Sequence, residues 1–137
     1  MTLVRLAGLA ALACALGGCS STVDAEAKQS AGRVARAIEL LRDAPNASKA
    51  TALAELGKLT CAGPEVCETR AACQVAYAEH VEAVALTEAA KLKLKDGQAE
   101  AAAQLLGSAE TKLGQANTKV QSCTERQLAL RRRYKLD

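Results

Sequence analysis

The segment Ala102–Tyr134, AAQLLGSAETKLGQANTKVQSCTERQLALRRRY, carries small or apolar residues at Ala102, Leu106, Ala109, Leu113, Ala116, Val120, Cys123, Leu130 and Tyr134. The steps alternate four and three, and only Gln127 interrupts the stripe. Such spacing keeps returning to one face of an α-helix, whereas a strand would alternate in steps of two. It predicts one packed helix of about nine turns at 3.6 residues per turn. Asp96-Gly97 is a turn signal just upstream. Before it, Cys67, Ala71, Ala78, Val81, Ala85 and Leu92 draw a comparable stripe, which begins after Gly63-Pro64, where proline suits a first helical turn. The expectation is a long antiparallel helical hairpin with an alanine-rich seam. Gly107 and Gly114 lie seven apart beside that seam. Each costs about 1 kcal/mol of helix propensity, so the repeat predicts a groove that receives a third helix.

Two shorter helices are expected before the hairpin. Ala27, Ala31, Val34, Ile38 and Leu41 repeat at helical spacing, and this helix should stop near Asp43 because Ala44 precedes Pro45. A second runs from about Ala47 to Leu59, with Asn46 or Ser48 as its cap and Ala52, Leu53, Leu56 and Leu59 on its buried side. The fold class is all-α: a small bundle of two short and two long helices. The chain has no Phe or Trp and only two Tyr, so its core must be built from Leu, Val, Ile and Ala. Alanine seams bury little area at about 25 cal/mol per Å², and small domains of this kind commonly rely on covalent staples.

The N-terminus has the layout of a secretory signal, with Arg5 as the positive region and Leu6 to Leu16 as a short apolar run. That run falls short of the roughly 20 apolar residues a transmembrane helix needs. Leu16-Gly17-Gly18-Cys19 closes it and resembles the lipobox of bacterial lipoproteins. The resemblance implies cleavage before Cys19, which becomes the first mature residue and carries a diacylglyceryl thioether. Two or three long acyl chains hold far more firmly than a single myristoyl chain. Ser20 at the second mature position, where Asp would signal retention, is similar to lipoproteins sent to the outer membrane. The expected organisation is a signal peptide over 1–18, a lipidated tether over 19–23 and a helical domain over 24–137. The expected address is the bacterial cell envelope, lipid-anchored at the outer membrane and facing periplasm or surface.

Of six cysteines, Cys14 leaves with the signal and Cys19 is taken by lipid. Cys61, Cys67, Cys73 and Cys123 remain, an even set in an exported protein, where disulfides are the default. Cys67 and Cys73 lie six apart in one expected helix, about 9 Å along the axis, which is out of bridging reach. Two pairings survive: Cys61–Cys67 with Cys73–Cys123, or Cys61–Cys73 with Cys67–Cys123. If the hairpin folds about Gly97, Cys123 is level with Ala71 and nearer Cys73 than Cys67. The face argument points the other way, because Cys67 lies on the more apolar stripe while Cys73 shares a face with Tyr77, His80 and Val84. Register is given the greater weight.

No catalytic or cofactor chemistry is expected. The spacings of Cys61, Cys67 and Cys73 do not form the CxxC knuckles of a zinc site, and no CxxC opens a helix as thiol redox catalysis requires. His80 lies beside Glu79 without an HExxH frame, and no nucleophile elbow or phosphate-cradling glycine loop is present. Eighteen Lys and Arg stand against fifteen Asp and Glu, but Arg131, Arg132, Arg133 and Lys135 gather at the C-terminal end. Cations there complement a helix dipole, and they also offer a contact for something anionic in the envelope, such as lipid head groups, polysaccharide or peptidoglycan. Nucleic acid is not expected as a partner of an exported, lipid-anchored chain. The sequence thus predicts a non-enzymatic structural or protein-interaction module, attached to the membrane through its lipid and meeting an envelope protein. The alternative is a binding module for an anionic envelope component.

Overall fold

The computed structural model describes residues 19–137, with side chains from Thr22 onward. The expected signal segment 1–18 and the lipid attachment at Cys19 lie outside the described residues and side chains. Four helices follow in order, α1 (Cys19–Asp43), α2 (Asn46–Lys58), α3 (Pro64–Lys95) and α4 (Ala99–Tyr134), and the described residues contain no strand. Helices α3 and α4 form the long antiparallel hairpin, α1 packs on both, and α2 lies on α1 and α3. Residues 19–23, read from the sequence as a tether, are the first turn and more of α1.

The α1 stripe is as expected: Ala27, Ala31, Val34, Ile38 and Leu41 are all buried. Its C-terminal end is closed by a residue that periodicity does not reveal. The ammonium of Lys49 donates to the carbonyls of Leu41 (3.1 Å), Arg42 (2.9 Å) and Ala44 (2.8 Å), acceptors that the end of a helix leaves without partners. It also sits over the Tyr77 ring, 5.9 Å from the centroid. A buried ammonium is tolerable because these oxygens replace its water. The capping expected from Asn46 or Ser48 does not occur: Pro45 is the N-cap of α2 without a side-chain bond, and its carbonyl accepts from the Ser48 amide at 2.8 Å. Asn46 is already helical and turns its Oδ1 to His80 Nε2 at 3.3 Å.

Gly63 opens α3 at φ 88 and Gly97 turns the hairpin at φ 73, both in the left-handed region that glycine enters freely. Both disulfides follow the register argument. Cys61–Cys67 has a Cα separation of 5.3 Å and Cys73–Cys123 one of 4.9 Å. The second joins residues 50 apart, and closing a loop of that length contributes about 4 kcal/mol if the chain-entropy account holds.

Helix α3 buries a different face from the one its apolar stripe suggests, with Cys73 inside it. Its expected stripe is largely open, with Ala71, Ala78, Ala85 and Leu92 exposed. The buried column is instead Thr69, Ala76, Ala83 and Ala90, joined by Val66, Cys73 and Tyr77. Alanine occurs on both sides of this helix, so apolarity alone does not choose between them. On α4 the buried column is Ala102, Ala109, Ala116, Cys123 and Leu130, again in steps of seven. Leu106 and Leu113, expected in the seam, are exposed at 44% and 37%. The groove expected at Gly107 and Gly114 is likewise empty, for a Cβ at either position meets nothing within 4 Å.

Large side chains concentrate at the open end of the hairpin. Val34, Ile38, Leu41, Leu56, Val66, Tyr77, Cys73, Cys123 and Leu130 make one core there. Beyond the level of the Asn46–His80 contact, among the described residues, only α3 and α4 continue, about 24 Å further to the turn at 1.5 Å per residue. Lys112 clasps Glu79 (3.0 Å) and Glu82 (2.8 Å) across that seam, and Lys119 holds Glu79 at 2.7 Å.

Candidate functional site

The last turn of α4 ends in a hydrogen-bonded reversal. Lys135 takes a left-handed conformation at φ 49, its amide donates to the Arg132 carbonyl at 3.4 Å, and the Leu136 amide donates to the Arg131 carbonyl at 3.0 Å. This paired 5→2 and 6→1 pattern is the Schellman ending of a helix, unusual here in placing lysine where glycine is customary. The reversal brings Leu136 back against α1, 3.9 Å from the position a Cβ on Gly32 would occupy.

A cleft of about 520 Å³ lies between α1 and this reversal. Its walls carry Lys28, Arg33 and Arg36 from α1 and Arg131 and Lys135 from the C-terminal end of the chain. Two carboxylates, Glu39 and Asp137, also line it. Five cations therefore face two acids in a cleft of a chain whose net charge is only +3. Glu39 is already committed: it pairs with the Arg131 guanidinium and lies 3.5 Å from Gln127 Nε2. Gln127, the residue that interrupts the α4 stripe, is buried and donates to the Ala35 carbonyl at 3.0 Å. It fixes the spacing of the two helices that form the cleft. Among the described residues Lys28, Arg33, Arg36, Arg132 and Lys135 form no ion pair. A concave surface with such an excess of one sign focuses its field and concentrates counter-ions.

The cluster read from the sequence is thus divided. Arg131 and Lys135 line the cleft, whereas Arg133 forms an ion pair with Glu65 Oε2 of α3 at 2.6 Å and lies over the Tyr134 ring, and Arg132 is exposed. Lys28, Arg33 and Arg36 join the site from a distant part of the sequence. They flank the apolar stripe of α1, which marks them as exposed, but their meeting with the C-terminal end depends on a contact across about a hundred residues.

The other titratable groups have structural explanations. Burial and then the nearby Lys49 ammonium hold the His80 pKa below its ordinary value, and burial raises that of Tyr77. The bonds from Lys119 and Lys112 lower the pKa of Glu79. Bonds to Glu82 and Glu79 raise that of Lys112. Cys61, Cys67, Cys73 and Cys123 are all consumed in disulfides. Among the described residues no three side chains of the metal-binding types gather, and no helix is long and apolar enough to cross a membrane. No protein-family model, curated protein or solved structure matches this chain, so its own residues carry the functional argument.

Proposed function

We propose that this chain is a lipid-anchored, non-enzymatic module of the bacterial cell envelope that holds a stiff helical arm away from its membrane for contact with an envelope protein. The observation that carries this reading is direction. Helix α1 begins at the lipobox cysteine, is exposed over residues 22–26, and first becomes buried at Ala27, beside Gly63 and Tyr134 at the open end of the hairpin. It then runs toward the middle of the hairpin, where Lys49 and Asn46 meet Tyr77 and His80. An anchor on Cys19 therefore holds the open end, and the Asp96-Gly97 turn is remote from it. Eight residues of stem contribute about 12 Å, and the thirty residues from Val66 to Asp96 about 45 Å more. Near the turn Leu92, Leu94 and Leu106 are exposed, apolar side chains of the kind that mark contact surfaces when they cluster.

Intact-mass analysis of the mature protein tests the anchor. The expected product begins at Cys19, carries acyl chains and lacks four thiol hydrogens; an unmodified chain starting at Met1 would remove the basis of the reading. Photo-crosslinkers placed at Leu94 and at Thr51 in living cells test the arm. A discrete adduct from Leu94 and none from Thr51 is expected, and no adduct from Leu94 counts against a protein partner there. The cationic cleft favours a second reading, binding of an anionic envelope component near the anchor. Lys28→Gln, Arg36→Gln and Lys135→Gln together, changes at cleft cations that form no ion pair among the described residues, should then weaken salt-sensitive association with anionic vesicles or sacculi.

A further inference from the structure

We infer that the cleft between α1 and the C-terminal reversal takes the anionic, phosphate-bearing head groups of the same membrane that holds Cys19, so that the protein is seated at two points. The inference rests on the lipid-anchor reading and names the ligand of the second one.

Three observations converge. The first is position: the cleft lies at the open end of the hairpin, the end from which the stem of α1 emerges. Lys28 stands nine residues from Cys19, about 14 Å along the helix. A head-group layer is about 5–7 Å deep per leaflet, and the four-carbon stem of a lysine covers much of the remaining distance. A lean of about 50–60° from the membrane normal brings Arg33 and Arg36, about 21 and 26 Å from Cys19 along the helix, into the same layer. At the far end of α1, Arg42 is too remote to share this contact.

The second is charge that the fold leaves unused. The Arg131–Glu39 pair is internally matched, but among the described residues no carboxylate is bonded to Lys28, Arg33, Arg36 or Lys135, which face the cleft. The third is the type of cation. A guanidinium presents a planar fork of donors that fits two oxygens of one phosphate, and Arg33 and Arg36 supply two such forks from one helix. The Schellman reversal adds Lys135 from the opposite wall. Fatty chains provide the attachment, and a polybasic contact beside them fixes orientation, the pairing by which peripheral proteins settle stably on bilayers. The consequence is a defined tilt for the arm.

The test uses the full lipoprotein isolated from membranes and reconstituted through its own anchor. One set of vesicles is phosphatidylcholine alone and the other also contains phosphatidylglycerol. Arginine modification by phenylglyoxal is read peptide by peptide, with Arg42 as the internal reference. Phosphatidylglycerol should slow modification of Arg33 and Arg36 relative to Arg42 by about fivefold or more, the factor that roughly one surface charge supplies, and high salt should abolish the protection. Equal modification in both vesicles overturns the inference. Inorganic phosphate added over phosphatidylcholine separates the sources: protection there without protection by phosphatidylglycerol makes this a free-phosphate site and also overturns it. Gln at Lys28, Arg36 and Lys135 removes no ion pair and should leave the helical signal intact while eliminating the protection of Arg33. Protection that survives these changes places the lipid contact elsewhere. The N-terminal peptide in the same spectra reports acylation. If Cys19 is bare, the protein will not sediment with phosphatidylcholine, which sinks the anchor; salt-sensitive sedimentation with the mixed vesicles would still uphold the cleft.

Discussion

The open end of the hairpin and its turn end are made from the same two helices yet are held together differently. At the open end Ile38, Leu41, Leu56, Val66 and Leu130 are fully buried between four helices, and both disulfides lie there. Toward the turn the buried residues are Ala83, Ala90, Ala102 and Ala109, and Lys112 bridges two glutamates across the seam. Small side chains let two backbones approach closely but remove little apolar area from water. The lesson is that a four-helix base can supply the stability while the two-helix arm supplies reach, with alanine chosen for closeness and charge for registration.

The largest contrast should come from matched leucine truncations. Leu130→Ala at the base is expected to cost about 2–5 kcal/mol, the range for cavity-forming changes in a packed core, whereas Leu113→Ala on the arm should cost less than about 0.5 kcal/mol as a surface change. Urea midpoints decide it, and equal losses would erase the distinction between the two ends.

A smaller effect of opposite sign is expected at the arm glycines. Gly107→Ala and Gly114→Ala place a methyl group in open space and should each stabilise α4 by about 1 kcal/mol through helix propensity. Slower amide exchange from Leu105 to Ala116 is the readout. A loss of protection would mean that something packs on this face.

The subtlest test is pH. The folded pKa of Glu79 is lowered, first by Lys119 and then by Lys112, from an ordinary 4.5. Its contribution is therefore present above that value and is lost as pH falls through the lower folded pKa. Lys112 is raised from an ordinary 10.5, first by Glu82 and then by Glu79, so its contribution is present below 10.5 and is lost as pH rises through the higher folded value. Acid should loosen the arm near Glu79 before the base. Amide exchange corrected for intrinsic rates checks this, and Glu79→Gln should remove the acid limb.

Much of the fold was legible because breakers and caps act locally. Pro45, Gly63-Pro64 and Asp96-Gly97 bound the helices where expected, and helical rise allowed the disulfide register to be weighed. What failed was the choice of face on α3, where Ala71, Ala78 and Ala85 are as apolar as Ala76, Ala83 and Ala90; partners decide there, and composition does not. Leu106 and Leu113 misled for the related reason that a repeat specifies a face but does not guarantee a neighbour. Of the cleft's five cations, Arg131 and Lys135 were legible as part of the basic C-terminal end. The rest, Lys28, Arg33 and Arg36, becomes part of it only through Gln127, Glu39 and the left-handed Lys135, which bring the two ends of the chain together.

The Cys73–Cys123 bridge has one more implication. Because it ties α3 to α4 between the open end and the turn, the whole outer length of the hairpin is a covalently closed ring. A protease that severs the exposed turn, the sort of tip where nicking concentrates, would yield two polypeptides still joined through sulfur. Neither could drift away from the other, and the cut would appear only after reduction.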